Sequence, residues 1–292
     1  MRPSTVCFTA FGLRIESEVP LGPEVAPEPL DEGVVDLTVE VAAPAPSDAT
    51  RHGVGRLNWE GLCELSVEGG RAIRVAPREG CSSEDMAMAV SGAGLAMALG
   101  QRESLVLHGS CVDVGGAAVC LLGPSGTGKS TLAAALRAAG HNLISDAMTA
   151  ISWSAENVPL CLPGWPKLKL WPEAAALLGW ASDGNPRVHA NSEKLLCSVD
   201  ERFADSPVPL SRLMLVSAED PIELSWLPPS AAVVELIRNF YLIDETAVSL
   251  QPEVMQACAR LAEQIPVARL KRGKSLAALA HVVDLVRSEA RL

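Results

Sequence analysis

The sequence predicts an α/β protein: a strand-rich sheet with flanking helices around a phosphate loop, plus a small β-rich N-terminal module. Three observations carry this. An apolar strand-like run, "AAVCLLG", enters the glycine-rich stretch "GPSGTGKS" at residues 123–130. An Ala/Leu-rich helical pattern, "KSTLAAALRAAG", leaves it. Upstream, residues 1–82 alternate short apolar runs with turn residues, as in "VCFTAFGLRIES", "VVDLTVEVAA" and "RLNWEGLCELSVEGG". The 292 residues suffice for two domains. The boundary is expected at residue 82, with 83–292 forming the phosphate-loop domain.

Each element follows from local signals. Pro/Gly/Asp-rich connectors, "PLGPEVAPEPLDEG" and "APAPSD", separate the first strands. A buried helix is expected over 83–101, capped by Ser82 or Ser83. "SLVLHGSCVDV" and "AAVCLLG" flank Gly115-Gly116 and read as a hairpin whose second strand runs into the loop. Gly140 stops the following helix. "HNLISDAMTAISW" is a strand with its turn, and "LPGWPKLKLWPEAAALLGW" is a loop, a short strand and a helix from Pro172. "NPRVHANSEKLLCSVD" and "LSRLMLVSAED" supply further strands and loops. "SAAVVELIRNFYL" and "QPEVMQACARLAEQ" are amphipathic helices, "IPVARLKR" a last strand and "SLAALAHVVDLVRSEARL" a closing helix.

Composition narrows the function. Residues are 48% hydrophobic and 20% charged, with a formal net charge of -11. That charge repels phosphate backbones and argues against a nucleic-acid partner. The densest basic run, "RLKRGKS", reads as a solvated strand end. None of the eight cysteines forms a C-x-x-C pair, so zinc-finger and dithiol spacings are missing. They read as buried free thiols in a reducing cytosol. There is no secretory signal pattern and no apolar run of membrane-spanning length, so a cytoplasmic location off the membrane is expected.

Residues 123–130 match G-x-x-x-x-G-K-[ST] in full. The glycines at 123, 126 and 128 let backbone N–H groups turn inward around phosphates, with Pro124, Ser125, Thr127 and Thr131 completing the loop. Lys129 reaches the β- and γ-oxygens, and the Ser130 hydroxyl suits Mg2+. The helix beginning there aims its positive end at the anion. A serine-hydrolase elbow, G-x-S-x-G, fails because position 127 is Thr. Base-reading N-K-x-D patterns of GTPases are absent, which leaves small kinases and related transferases.

From Leu107 to Ile151 the sequence resembles HPr kinase/phosphorylase. His108 before a strand-turn-strand, the loop 123–130, Gly140-His141 and Asp146 fall at that family's positions. "FTAFGLRIESEVPL", "PGWPKLKLWPEAA" and "EKLLCSVDERFADSPVPLSRL" are similar to a divergent branch, the HPr-kinase-related proteins of ribosomal-peptide gene clusters. Some of these are lasso-peptide tailoring kinases acting on a serine hydroxyl. The resemblance implies ATP and Mg2+ as cofactors, with Ser130 and Asp146 toward the metal. It implies catalytic roles for Lys129, Asp146 and His108, and a precursor peptide as partner. Asp146 would take the acceptor's proton or hold the metal; His108 would pair with Asp146 or touch the γ-phosphate. Closed homo-oligomeric rings are common in the family.

Two departures stand out. The family's glycine-rich second signature is missing, which argues against phosphorylase activity and against HPr as substrate. Where the family has two aspartates, this chain has Asp146 followed by Ala147. Ala147 leaves three readings open: a slow enzyme with a single acid, a nucleotide binder without chemistry, or an engineered substitution. Lys167 and Lys169, two apart in "PKLKLWP", are candidates for an anionic group on the peptide, bracketed by Trp165 and Trp171. Arg187, Lys194 and Arg238 are further candidates. Two rival functions remain: a serine kinase acting on a folded carrier protein, and a binding module without catalysis.

Overall fold

The computed structural model describes residues 5–21, 34–43, 54–180, 184–188, 192–199, 201–241 and 252–290. The expected Pro/Gly/Asp connectors lie largely outside these residues. The chain divides into two compact units, the first ending at Ser104 and the second opening at Leu105.

The first unit is a six-stranded sheet. Its strands are β1 (Val6–Ala10), β2 (Leu13–Ser17), β3 (Leu37–Val41), β4 (Val54–Trp59), β5 (Cys63–Glu68) and β6 (Ala72–Pro77), in the order β1-β2-β3-β6-β5-β4. The two-residue turn Phe11-Gly12 and the first two residues of the three-residue connections after β4 and β5, Glu60-Gly61 and Gly69-Gly70, all have positive φ, the geometry that matches strand twist in tight hairpins. Helices α1 (Ser83–Ala89) and α2 (Leu95–Gln101) are joined by a π-helical turn, Val90–Gly94. Ser82, not Ser83, is the cap: its hydroxyl accepts from the Asp85 N–H, and Asp85 returns the bond to Ser82 N–H. This helix belongs to the first unit, so the boundary falls at Ser104 and not at residue 82. The cause is the apolar face of the helix, where Ala89, Ala93 and Gly94 are buried and Gly94 lies against Ile73 of β6.

The second unit is a mixed sheet with helices around it. It contains β7 (Leu105–Leu107), β8 (Gly109–Asp113), β9 (Ala118–Leu122), β10 (Asn142–Ser145), β11 (Thr149–Trp153), β12 (Pro159–Leu162), β15 (Val208–Ser217), β16 (Glu223–Trp226) and β17 (Val267–Lys271). The order is β10-β8-β9-β15-β12-β11-β7, with β17 also on β15 and β16 on β17. The ten-residue β15 makes this branching possible: it runs parallel to β9 and β17 and antiparallel to β12. β13 (Lys167–Leu170) and β14 (Leu195–Ser198) form a separate ribbon. The helices are α3 (Lys129–Ala138), α4 (Pro172–Leu177), α5 (Pro229–Arg238), α6 (Pro252–Gln264) and α7 (Leu279–Ala290).

The expected hairpin at Gly115-Gly116 joins β8 to β9, with the Gly116 N–H donating to Asp113 Oδ1. Helix α3 ends as its sequence implies. Gly140, at φ 103°, lets its own N–H reach Arg137 O and the His141 N–H reach Leu136 O. Gly140-His141 is therefore a helix stop. Leu132 and Leu136 of α3, Val282 and Val286 of α7, and Val119, Leu121 and Met214 of the sheet make one core beneath the phosphate loop. Burial of each large side chain contributes about 1.5–3 kcal/mol, which fixes the strand and helix that carry the loop.

Candidate functional site

Strand β9 delivers the loop and α3 takes it away. Gly123, Gly126 and Gly128 sit at φ 134°, 85° and 93°, conformations L side chains rarely adopt. Gly128 occupies the N-cap of α3 and has no side chain to satisfy the first-turn N–H groups, so they remain for an anion. A cavity of about 240 Å³ opens over this turn. Ser125, Gly126, Gly128, Lys129, Ser130 and Thr131 line it, whereas Gly123, Pro124 and Thr127 form the back of the loop. The far wall comes from His108, Ala147, Lys169, Trp171, Glu173, Ala174, Lys194, Arg272 and Leu276.

Lys129 is only 6% exposed. Its ammonium donates to Gly123 O at 2.6 Å and Pro124 O at 2.9 Å. Burial pushes its pKa down to about 8; Asp146 opposes that shift and Lys194 adds to it. His108 is lowered to about 4, first by burial and then by the Lys129 charge. It is therefore a neutral imidazole across the physiological range. Its ring meets Tyr241 edge-on at 6.2 Å.

Asp146 follows β10. A register shift between Leu143 and Ser145 against β8 turns it toward Ser110. The buried Ser110 hydroxyl donates to Asp146 Oδ1 at 2.6 Å, and the Lys169 backbone N–H donates to Oδ2 at 2.8 Å. The carboxylate is thus fixed by Ser110, not by the expected His108 pairing. Fixed this way it still has acceptor lone pairs, but it is not part of the cavity wall. The next residue, Ala147, is, and it adopts a left-handed φ of 64°.

The candidate substrate residues separate. β13 alternates as expected, with Leu168 and Leu170 buried and Lys167 and Lys169 on the other face. Only Lys169 lines the cavity; the Lys167 amine donates to Ser198 Oγ at 2.7 Å. Lys194 lines it too, with its ammonium 5.6 Å from the centre of the Trp171 ring. Arg187 is exposed beside β14, and Arg238 pairs with Glu235 at 3.5 Å, both away from the wall. Trp171 lines the cavity and Trp165 does not.

Two charged wall residues were not anticipated. Glu173, in the first turn of α4, is the one carboxylate among the lining residues. Arg272 corrects the reading of "RLKRGKS" as solvated, since it is 8% exposed. Its Nε donates to Thr127 O at 2.7 Å and one terminal nitrogen to Gly273 O at 3.0 Å, which lays the guanidinium over Gly128. A Cβ at residue 128 would collide with Arg272 Nε. Gly128→Ala is therefore expected to cost about 1–3 kcal/mol through the positive φ alone and to displace Arg272 as well. Thermal denaturation with and without triphosphate checks this, the expected result being a lower midpoint and no ligand-induced rise.

The residues fit a triphosphate: loop amides, the Lys129 ammonium, the Arg272 guanidinium and three hydroxyls, Ser125, Ser130 and Thr131, converge on one cavity in a chain of net charge -11.

Comparison with known proteins agrees in part. No family model matches the chain. A segment of 51 residues is 49% identical to HPr kinase/phosphorylase of Prosthecochloris aestuarii (strain DSM 271 / SK 413), covering 18% of this chain and 15% of the relative. The Hpr(Ser) kinase/phosphatase structure from Coxiella burnetii aligns with 63% of this chain and 88% of its own, at 12% identity and a TM-score of 0.35. The α/β assignment rests on the strand order described above. Among the described residues no helix is long and apolar enough to cross a membrane.

Proposed function

We propose that this protein is an ATP-dependent kinase that transfers the γ-phosphoryl group to a serine hydroxyl of a ribosomally synthesised, lasso-type precursor peptide. The observation that carries the reading is the cavity itself, with the phosphate loop on one wall and Lys169, Lys194 and Trp171 on the other. The segment similar to an HPr kinase/phosphorylase supports a kinase. The flanking motifs quoted above support the peptide acceptor.

Phosphoryl transfer asks a protein mainly for positioning and charge neutralisation. The loop amides and Lys129 hold the triphosphate, and Arg272 backs the loop at Thr127. Ser130 would hold Mg2+, which when bound neutralises charge on the phosphates, and Asp146, although outside the cavity wall, keeps carboxylate lone pairs that could share in holding it. Asp146 alternatively accepts the acceptor hydroxyl's proton, held in orientation by Ser110. His108, uncharged, contributes a hydrogen-bonding wall rather than a positive charge. The net charge of -11 argues for a non-nucleic-acid substrate, the free buried thiols suit a reducing cytoplasm, and the kinship implied by the sequence suggests a homo-oligomer.

Lys169 and Lys194 are assigned to an anionic group on the acceptor. Replacing both with Ala is expected to raise the peptide KM about tenfold or more, on the scale of one charged hydrogen bond. The nucleotide KM should stay unchanged. Steady-state kinetics with each substrate varied separately checks this; equal effects on both constants would place the lysines on the nucleotide instead.

A second reading, nucleotide binding without transfer, is favoured by one observation: the wall position next to Asp146 carries only the methyl group of Ala147. ATP affinity without phosphate transfer to peptide or to a carrier protein, in this chain and in an Ala147→Asp variant, would favour it.

A further inference from the structure

We propose that Cys111, Cys120 and Cys161 form a three-sulfur site for a single thiophilic cation of the copper(I) type. Cys111 of β8 and Cys120 of β9 face each other directly across an antiparallel pair. Cys161 comes from β12, on the opposite side of β15 from β9. The branching of the sheet brings it onto the other two. Cys120 Sγ lies 3.0 Å from Cys111 Sγ and 3.5 Å from Cys161 Sγ, and all three sulfurs fall within 4.8 Å of one another. All three residues are fully buried and none is in a disulfide.

The donor set selects the ion. Soft thiolates favour Cu(I), zinc and iron–sulfur clusters over hard cations. Structural zinc takes four ligands in a tetrahedron. Among the described residues no fourth His, Cys, Asp or Glu joins these three. A closed-shell monovalent ion that accepts three sulfurs in a plane suits the set better. Binding exchanges thiol protons for the metal and changes no oxidation state, so no co-reactant is needed. Small spreading motions suffice, because the strands already hold the sulfurs at the corners of a triangle. Ordinary packing would make the cluster a group of small apolar side chains linked by weak S–H···S contacts. The bland alternative thus predicts no metal retention.

The site lies next to the phosphate cavity in sequence. Ser110, which holds Asp146, immediately precedes Cys111. Sulfur ligation would therefore anchor the strand that orients the acid, without entering the reaction.

The test uses the full chain, reduced and under anaerobic conditions. It is loaded with Cu(I), then passed through a column with a competing Cu(I) chelator. The expected result is a single retained copper ion per chain, a near-ultraviolet sulfur-to-copper charge-transfer band, and an X-ray absorption spectrum with three sulfur neighbours and no nitrogen or oxygen. Cys161→Ser should lose the retained copper, whereas Cys258→Ser, at a buried thiol outside the cluster, should keep it. Complete removal of copper from the chain with all three cysteines by the chelator would overturn the proposal. So would zinc retained in preference to copper, or a spectrum with fewer than three sulfurs. These readings on the unmodified protein hold even if a variant fails to fold.

Discussion

Lys129→Ala is expected to remove triphosphate binding and with it all measurable transfer. The ammonium is the most buried charge of the cavity wall and is held by two loop carbonyls, so no neighbouring lysine can take its place. Loss of one preorganised donor to a transferring group typically costs about 10²–10³ in rate. Here the same residue also shapes the loop, so binding itself should fail. The protein with Lys129 in place adds a pH signature. Lys129, lowered to about 8 by burial, must be protonated to hold the anion, and the bound anion raises its pKa. Proton uptake then accompanies binding above pH 8. Affinity should be level below about pH 8 and fall by up to about tenfold per unit above it. The stability sign is the reverse. The unfolded lysine keeps its proton to a higher pH than the folded one, so the ligand-free protein gains stability as pH rises from about 8 toward 10.5. Calorimetric titration across pH 7–9 reads the affinity; a flat profile would remove Lys129 from the phosphate site.

Ala147→Asp is expected to raise turnover about tenfold or more, the low end of what a positioned acid or base contributes. The backbone is ready for it. Ala147 sits at φ 64°, where a non-glycine residue is uncommon and Asp is among the better tolerated. The side chain would enter the cavity wall beside Asp146, which Ser110 and the Lys169 N–H already hold. Ala147→Gly separates conformation from chemistry. It relieves the left-handed backbone by about 1 kcal/mol and adds no carboxylate, so it should raise the melting midpoint and leave turnover unchanged. If Ala147→Asp matches Ala147→Gly in rate, position 147 plays no catalytic part.

What was legible in the sequence follows the range of the forces. The phosphate loop, the hairpin at Gly115-Gly116 and the stop at Gly140 are set by a few adjacent residues and their φ angles, and the structure has them as read. The strands β9, all buried, and β8, buried up to Asp113, also announced themselves as apolar runs. Features built from distant segments were not legible. Arg272 carries the mark of a solvated basic run in sequence, yet it folds back onto Thr127, 145 residues away. Ser110 looks like filler in "LHGSCVDV", and only a β-bulge in the partner strand shows that it grips Asp146. Lys167 and Lys169 share a face, but Ser198 across the ribbon takes one of them out of the cavity. The helix from Ser83 carries no local mark of the domain it joins; the boundary is expected before it, whereas its apolar face belongs to the first sheet. The three clustered thiols have no spacing signal at all, because each comes from a different strand.

The most direct measurement is the intact mass of a serine-containing precursor peptide from this protein's own gene neighbourhood after incubation with ATP and Mg2+. It is run in parallel with the chain carrying Ala147 and with Ala147→Asp. Transfer at this cavity predicts a peptide heavier by one or more phosphoryl groups, formed faster by the variant and not at all by Lys129→Ala. An unchanged peptide with both active-site versions, while ATP binding is measured in the same samples, would contradict a peptide kinase.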